Sequence, residues 1–196
     1  MSKRAFDVSV ACLGLILLAP LLLLVAALIK LDSPGPVFFR QERMGRAFRP
    51  FLIYKFRTMV HDAPGRGGPI TFGTDTRITR VGRFLRKTKI DEFPQLINVL
   101  KGEMSLVGPR PEVREYVELF SRDYEIILQV LPGITDLASL RYRHEAEILG
   151  QSEKPREEYI GRILPEKMKL AKDYVGQASF FFDLAVILRT LLAIFR

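Results

Sequence analysis

The stretch from Val8 to Ile29, VSVACLGLILLAPLLLLVAALI, decides how this chain is organised. It carries no charged side chain over about 22 residues, and a straight helix of that length would reach roughly 33 Å, enough to cross a bilayer core. A cleaved signal peptide is one alternative, because Lys3 and Arg4 precede the stretch, but the apolar run is longer than an ordinary signal-peptide core. The sequence therefore predicts a membrane segment.

The topology of this segment has two interpretations. Basic residues flank it on both sides, so the positive-inside rule gives no clear orientation. Pro20 lies near its middle, where it removes a backbone hydrogen bond and kinks the helix, so that each half could enter one leaflet and return to the same face. A spanning helix that tolerates its proline fits the pattern equally well. The physical pattern alone leaves both topologies open.

The composition of the chain indicates an anionic partner. Lys and Arg number 30 against 22 Asp and Glu, a formal charge of +8, while the hydrophobic content of 48% excludes a disordered basic tail. Nucleic acid, anionic lipid headgroups and phosphorylated small molecules all suit this charge. The single cysteine, Cys12, lies within the apolar run, which excludes an internal disulfide and a thiolate metal site. With 196 residues, the chain has room for one domain beside the membrane segment.

The pattern after the membrane segment mixes short strands with several helices. Strands are predicted at 37–43 and 51–59, and helices at 78–89, 111–131 and 155–175. The third helix is expected to break at Pro165, and the stretch 135–150 is predicted as helix or turn. The glycine-rich stretch 63–73 is predicted as a linker or a lid. The fold class is therefore α+β, mainly helical, with a small β-hairpin.

The C-terminal stretch 180–196 is strongly apolar but carries three charged residues. It is too short and too charged to span a membrane, so it suits an amphipathic helix in the membrane interface. A helix that covers the domain core fits the same pattern about equally well.

Two adjacent acids, Asp91 and Glu92, are the strongest candidates for chemistry. They precede an apolar segment that is predicted to be helical, so either could simply cap a helix N-terminus. One acid is enough for a cap, however, and here two stand side by side. A carboxylate can attack phosphorus to form an acyl phosphate, and two carboxylates can hold Mg²⁺ against a diphosphate.

Cationic side chains crowd the sequence around this pair. The predicted helix at 78–89 carries a basic face that either is simply solvated or forms a phosphate cradle. In the cradle interpretation the cations keep the carboxylates ionised and bind phosphate oxygens. Arg110 projects from a turn that Pro109 and Pro111 make rigid. Other catalytic classes lack their patterns, since the chain has no Walker glycine loop and no serine-triad signature.

Longer motifs around these residues are recognisable. The stretch 77–111, RITRVGRFLRKTKIDEFPQLINVLKGEMSLVGPRP, closely resembles the core motif of bacterial sugar transferases called monotopic phosphoglycosyl transferases. The segments KRAFDV, PGPVFFRQERMG and YKFRTM resemble the same family, so the resemblance extends to about Thr135. The chain length suits the small members that consist of a catalytic domain only.

This resemblance implies an activity. Members transfer a sugar 1-phosphate from a UDP-sugar to undecaprenyl phosphate and release UMP with Mg²⁺ required, as the first membrane step of a bacterial surface glycan pathway. By the match, Asp91 is the nucleophile that forms a covalent phosphosugar intermediate, and Asp91 and Glu92 together engage Mg²⁺. Arg86 and Arg110 fall on family arginines that meet substrate phosphate or nucleotide. The other candidates for that role are Lys55, Arg57, Arg80 and Arg83. The expected partners are UDP-sugar, undecaprenyl phosphate and membrane lipid, without nucleic acid, and the sugar and the oligomeric state stay open.

The resemblance also implies a topology. Residues 1–31 would form a re-entrant membrane helix with its hinge at Ala19 and Pro20, and residues 32–196 a cytoplasmic catalytic domain with a membrane-associated C-terminal helix. The protein would be monotopic at the cytoplasmic face of the bacterial inner membrane. Ala19 stands where relatives often have serine, which removes a hydroxyl that could bond freed carbonyls. The stretch 133–149, GITDLASLRYRHEAEIL, departs from the family pattern, so substrate choice is expected to differ there.

A noncatalytic membrane-anchored module is the alternative from another class. It would bind anionic lipid or nucleic acid through the basic face at 80–89 and leave Asp91 and Glu92 no role beyond capping. Salt-sensitive binding without turnover would support it.

Overall fold

One long helix, two small sheets and a series of short helices make up the fold. The computed structural model describes residues 3–66 and 75–194. Its helices are α1 (Lys3–Asp32), α2 (Arg80–Thr88), α3 (Gln95–Lys101), α4 (Arg114–Leu119), α5 (Ser121–Ile127), α6 (Leu137–Arg141), α7 (Glu145–Gly150), α8 (Pro155–Glu158), α9 (Leu164–Gln177) and α10 (Phe180–Ile194). Its strands are β1 (Phe38–Met44), β2 (Pro50–Phe56), β3 (Ser105–Val107) and β4 (Gly133–Thr135). The predicted fold class, mainly helical α+β with a long apolar N-terminal helix and a small hairpin, is confirmed.

Helix α1 runs for 30 residues with Pro20 inside it. Among the helices of the described ranges, it is the one long and apolar enough to cross a membrane, judged by length and composition. The helix continues through Ala19 and Pro20, and a proline can bend a helix without ending it. The predicted hinge at these two residues, like the domain division after residue 31, stays a prediction.

Two apolar clusters hold α1 against the rest of the fold. Near its start, Ala11 is buried beside Val99 and Met104, and near its end Val25 and Ile29 lie in a cluster with residues of β2 and α2. The other side of the helix leaves large apolar side chains exposed. These are Val10, Leu13, Ile16, Leu17, Leu21, Leu23, Leu24, Leu28 and Leu31. A continuous exposed apolar face of this size is typical of a surface that contacts lipid or another protein.

Polar contacts fix both ends of α1 to the same part of the molecule. Asp7 is buried, and its Oδ2 accepts a hydrogen bond from Ser105 Oγ at 2.7 Å. At the other end, Asp32 Oδ2 accepts from the backbone N of Val81 in the first turn of α2 at 3.0 Å. Because a buried carboxylate is stable only when it is hydrogen-bonded, these contacts specify how α1 is seated.

Helix α10 combines the two roles considered from its sequence. Asp183 is buried, pairs with Lys3 Nζ, and accepts a hydrogen bond from the Tyr174 hydroxyl at 2.7 Å. Val186 is buried in the core, so this face covers the domain. Phe182 and Ile187 pack against the same core, whereas Phe180, Phe181, Leu184, Leu188, Leu191 and Leu192 are exposed. The exposed face suits an interfacial helix, and its membrane association stays a prediction.

The hairpin formed by β1 and β2 is antiparallel, with residues 38–44 opposite residues 50–56. The predicted hairpin is thus confirmed, although its second strand ends at Phe56 rather than at residue 59. Met59 instead forms an isolated antiparallel bridge with Ile78. This bridge places the start of α2 beside the end of β2.

A second sheet, which the sequence analysis did not predict, consists of β3 and β4. The two strands are parallel, with Val107 opposite Thr135. Gly108 and Gly133 allow their close approach, because a Cβ on Gly133 would lie 2.0 Å from the backbone N of Gly108. Strands of three residues carry too little periodic pattern to be recognised in a sequence. The sheet fixes the start of the turn at 108–111.

The single helix predicted at 111–131 is wrong. Two short helices, α4 and α5, meet at Phe120, whose φ of −121° and ψ of 40° are not helical. Helix α4 begins later than predicted, at Arg114, because Glu112 turns inward and accepts a hydrogen bond from the Tyr159 hydroxyl at 3.0 Å. The apolar residues keep a helical spacing across the break, so the sequence pattern of α4 and α5 is that of a single helix.

The predicted break at Pro165 also differs from the structure. Helices α8 and α9 are joined by a π-helical turn, Tyr159–Ile163, and Pro165 lies in the first turn of α9. A missing N–H costs little there, because the first amides of a helix have no partner within it. The irregularity therefore precedes the proline, and it turns Tyr159 and Ile163 into the core.

The stretch 63–73, predicted as a linker or lid, is described only in part. It begins with a short 3₁₀ turn at Ala63–Arg66. Residues 67–73 lie outside the described ranges.

Candidate active site

Asp91 and Glu92 lie in a 3₁₀ turn between α2 and α3. The turn follows Lys89, whose φ of 59° reverses the chain direction at the end of α2. Helix α3 begins after Pro94, and among the described residues neither this helix nor the 3₁₀ turn has a side-chain capping hydrogen bond. The structure therefore contradicts the interpretation of the two acids as helix caps.

Glu92 makes two ion pairs. Its Oε1 accepts from Lys55 Nζ at 2.8 Å and from an Arg110 guanidinium nitrogen at 2.5 Å. Burial acts to raise the pKa of Glu92, but the charges and hydrogen bonds of Arg110 and Lys55 outweigh it and hold that pKa well below its ordinary value. Glu92 is consequently ionised at neutral pH, and it holds two cations from β2 and from the turn after β3 together.

Asp91 has a different environment although it is adjacent in sequence. It is 8% exposed, and its Oδ1 is buried without a hydrogen-bond partner among the residues that the structure describes. Burial raises the pKa of Asp91, and the charge of Glu92 raises it further, against the opposing charges of Lys55 and Arg86. A buried oxygen without a partner costs free energy and needs a reason, which a ligand or a reaction provides.

Helix α2 brings Arg86 to the carboxylates, which confirms the predicted helix at 78–89 with slightly shorter bounds. Arg86 Nε donates to Thr58 Oγ1 at 2.8 Å, which orients the guanidinium. Gly82 makes this contact possible, because a Cβ at that position would lie 2.0 Å from the Thr58 carbonyl oxygen. Thr58 lies in the segment YKFRTM but is not among the predicted site residues, because a contact with Arg86, 28 residues away, leaves no local pattern.

Arg110 is held at its backbone as well as at its side chain. Its backbone N donates to Asp136 Oδ2 at 3.1 Å. The charge of Glu92 raises the pKa of Arg110 above its already high ordinary value, so the guanidinium stays charged. The sequence analysis missed Asp136, although an Asp three residues before Ser139 at a helix start is a signal for an N-cap.

Three other predicted phosphate ligands have different surroundings. Arg57 is buried at the end of α1, where its guanidinium donates to the carbonyl oxygens of Pro34 and, at 2.7 Å, of Ser33. These contacts satisfy carbonyl groups at the C-terminus of α1 and give Arg57 a structural role. Its predicted binding of substrate phosphate stays a prediction, as do those of Arg80 and Arg83, which are exposed on α2.

An open groove of about 2270 Å³ passes over the carboxylate pair. Its polar part is lined by Lys55, Arg83, Arg86, Asp91, Glu92 and Arg110. Its apolar part is lined by Phe6, Val10, Leu18, Leu96, Ile187 and Leu191. The groove is larger than a usual small-molecule pocket of about 300–1,000 Å³. It thus connects a cationic site to the side chains of α1 and α10.

The site offers one available carboxylate, that of Asp91, to a divalent metal. Within residues 3–66 and 75–194, no three His, Cys, Asp or Glu side chains form a metal-binding group. Glu92 is engaged by two cations, whereas Asp91 offers a buried oxygen without a partner. Because Mg²⁺ is often held by one or two carboxylates together with substrate phosphates, Asp91 fits a metal that arrives with a diphosphate. The predicted role of Glu92 as second metal ligand stays a prediction.

Comparisons with known proteins agree with this site. A family model described as bacterial sugar transferase matches residues 1–196. A UDP-N-acetylgalactosamine-undecaprenyl-phosphate N-acetylgalactosaminephosphotransferase of Aeromonas hydrophila is 45% identical over 74% of this chain and 35% of its own length. A UDP-glucose:undecaprenyl-phosphate glucose-1-phosphate transferase of Caulobacter vibrioides is 42% identical over 97% of this chain and 68% of its own length.

A shorter relative matches almost end to end. The exopolysaccharide production protein PSS of Rhizobium leguminosarum bv. phaseoli is 40% identical over 97% of this chain and 94% of its own length. The chain thus spans about a third of the Aeromonas relative but nearly all of the Rhizobium one. These matches confirm the resemblance seen in the motifs around Asp91 and Glu92: the chain belongs to the bacterial sugar transferase family.

Proposed function

We propose that this chain transfers a sugar 1-phosphate from a UDP-sugar to undecaprenyl phosphate and releases UMP. The observation that carries the proposal is the buried Oδ1 of Asp91, which has no hydrogen-bond partner within residues 3–66 and 75–194 and lines the same groove as Arg86, Arg110 and Lys55. The names of two relatives supply the classes of donor and acceptor. A lipid-linked sugar phosphate is the starting material for a surface glycan, in keeping with the Rhizobium relative's name. A noncatalytic binding module would give the open carboxylate no purpose.

The proposed reaction has two steps at one phosphorus atom. A carboxylate oxygen of Asp91 attacks the β-phosphorus of the UDP-sugar, the bond from that phosphorus to the bridging oxygen breaks, and UMP leaves with this oxygen. The sugar phosphate is then held as an acyl phosphate on Asp91. In the second step a phosphate oxygen of undecaprenyl phosphate attacks the same phosphorus, and the bond to Asp91 breaks. The carboxylate is thereby restored.

Glu92 acts as a positioning residue in this scheme. It holds Lys55 and Arg110 beside Asp91 through contacts of 2.8 and 2.5 Å. One negative charge set against two positive charges leaves a net positive charge, which can stabilise negative charge that develops on the phosphate oxygens. Arg86, oriented by Thr58, adds a second guanidinium on the same groove.

Mg²⁺ would be held by Asp91 together with the phosphates of the donor. When bound, the ion would neutralise charge on the diphosphate and on the leaving UMP. The chain's own contribution is to place the cations of Lys55 and Arg86 beside the Asp91 carboxylate and to orient the donor phosphates with Arg86 and Arg110.

Sustained UMP release is expected only when UDP-sugar, undecaprenyl phosphate and Mg²⁺ are supplied together. Without the acceptor, release should stop at about one UMP per protein, because the intermediate blocks Asp91. A coupled UMP assay with purified protein, run with each component omitted and with EDTA, measures this. Sustained release without acceptor, or activity unaffected by EDTA, would contradict the scheme. A panel of UDP-sugars in the same assay identifies the donor.

We also propose that α1 enters and leaves the cytoplasmic face of the bacterial inner membrane, which makes the protein monotopic. Asp7 near its start and Asp32 at its end bind the same domain, through Ser105 and Val81. A helix that crossed the bilayer would place one of its ends on the side opposite to this domain. The exposed apolar faces of α1 and α10 supply the surface for lipid.

Single cysteines are expected to label from one side of the membrane only. In a Cys12→Ser background, Ser2→Cys and Ser33→Cys flank the apolar run, and Glu118→Cys marks the catalytic domain. All three should react with a membrane-impermeant maleimide in inside-out vesicles and be protected in right-side-out vesicles. Labelling of positions 2 and 33 from opposite sides would establish a spanning helix instead.

A further inference from the structure

Asp136 is a buried carboxylate that binds two backbone amides on different segments. It is 4% exposed, its Oδ1 accepts from the N of Ser139 at 2.6 Å, and its Oδ2 accepts from the N of Arg110 at 3.1 Å. The first bond caps α6, as an Asp at this position ordinarily does. The second bond is not needed for a cap, and it ties α6 to the turn that carries Arg110.

The turn at 109–111 is held on its acceptor side by two carbonyls, of which Pro111 O accepts from Arg43 Nη1 at 3.2 Å, and on its donor side by a single amide. Prolines occupy positions 109 and 111 and have no N–H, so the amide of Arg110 is the donor that the three residues offer. On the acceptor side, the carbonyl of Pro109 receives a bond from Gly133 N at 3.0 Å. Asp136 holds the one amide of this turn, between the two bonded carbonyls, and so contributes to the position of the Arg110 Cα and to the reach of the guanidinium toward Glu92.

We propose that Asp136 is a positioning residue for the transferase reaction and acts through Arg110. By holding the Arg110 backbone, it keeps the guanidinium between Glu92 and the donor phosphates. The inference rests on the proposed function. It also links the turn that carries Arg110 to α6, whose residues Ala138 and Ser139 line the groove. The position of α6 is thereby coupled to the position of Arg110.

Capping and positioning can be separated by substitution. Asn caps a helix as well as Asp does, and Ser nearly so, so Asp136→Asn and Asp136→Ser retain an acceptor for Ser139 N. The Asn side chain has one oxygen, so when it accepts from Ser139 N its NH₂ group faces the N–H of Arg110. The Ser oxygen lies one bond closer to the backbone, so it does not reach both amides, which bind different oxygens of Asp136. Ser152→Ala is the matched control, because Ser152 Oγ accepts from Lys154 N at 3.2 Å in an exposed turn far along the chain.

The activity test is a double-mutant cycle. Asp136→Asn is expected to lower kcat about 10- to 100-fold with a smaller change in KM for the UDP-sugar, because a shift of about 1 Å in a phosphate ligand costs rate more than binding. In an Arg110→Ala background the same substitution should have no further effect on kcat. Ser152→Ala should leave kcat unchanged. Unchanged kcat in Asp136→Asn, or losses that multiply fully in the double variant, would overturn the proposal.

Hydrogen exchange gives a readout that does not depend on turnover. In the segment 108–112, the amides belong to Gly108, Arg110 and Glu112, so mass spectrometry can follow the Arg110 amide with little background. Exchange in this segment should be faster in Asp136→Asn than in wild type, and unchanged in Ser152→Ala. Equal exchange in wild type and Asp136→Asn would contradict the positioning role of Asp136. Absence of UMP release by wild type would instead contradict the proposed function, so the two failures are distinguishable.

Discussion

Asp91→Asn is expected to lower the rate of UMP release by at least about a thousandfold, because a neutral amide cannot attack phosphorus. The substitution keeps the shape of the side chain and its buried position, so the loss isolates the chemistry. Incubation of wild type with UDP-sugar but without acceptor should also raise the protein mass by one sugar phosphate, and Asp91→Asn should show no such species. Initial rates of UMP release and intact-protein mass spectrometry measure the two effects.

Asp123→Asn is the matched control for this substitution. Asp123 is partly exposed and pairs with Lys172 at 2.6 Å, away from the groove lining. Its loss should change the rate by less than about twofold, since exposed ion pairs contribute little. An Asp91→Asn protein that retained full turnover would remove Asp91 from the role of nucleophile.

Asp91→Asn, which should abolish most of the activity, is expected to increase the stability of the fold. Burial and the charge of Glu92 raise the pKa of Asp91, so the folded state favours the protonated acid and the ionised form destabilises it. At pH 7, Asp91→Asn should therefore increase the free energy of unfolding by about 1 kcal/mol. The gain should vanish below the ordinary Asp pKa of about 4, where both states are protonated. Thermal melts across pH test the stability effect. The raised pKa also predicts that wild-type kcat/KM falls as the pH is lowered through the pKa of Asp91.

Glu92→Gln is expected to lower both stability and turnover. It leaves Lys55 and Arg110 without the negative charge that neutralises them, and because these side chains are only partly buried the loss should be about 1–2 kcal/mol, less than for a fully buried pair. The pKa of Glu92 is held well below its ordinary value, so this stabilisation is present at neutral pH and is lost as the pH falls through the lowered pKa. Turnover should fall about 100-fold, because Arg110 is no longer held beside Asp91.

Two variants make the Glu92 experiment decisive. Glu115→Gln removes an exposed partner of Arg156 and should change the free energy of unfolding by less than about 0.5 kcal/mol. Adding Lys55→Met to Glu92→Gln should recover part of the stability but not the turnover, because it removes an unpaired buried charge without restoring the position of Arg110. A Glu92→Gln protein with wild-type melting temperature and rate would show that the ion pairs are incidental.

The elements that the sequence predicted share long or strongly periodic patterns. Helix α1 follows from an apolar run of about 22 residues, the hairpin from two alternating segments, and α2 from its apolar spacing. The elements that it missed are short or depend on distant contacts. Strand β3 is held by its parallel partner β4, the start of α4 is set by the inward turn of Glu112, and the break at Phe120 separates α4 from α5.

The sequence by itself predicted a membrane segment, and it determined that the chain has an excess of cationic residues and a candidate carboxylate pair. Only the tertiary structure decided how Asp91 and Glu92 differ. Glu92 meets Lys55 and Arg110, which are 37 and 18 residues away in sequence, whereas Asp91 next to it has a buried oxygen with no hydrogen-bond partner in the described part of the chain. Adjacent residues in a turn point in different directions, so each carboxylate's environment depends on which distant segments fold against it.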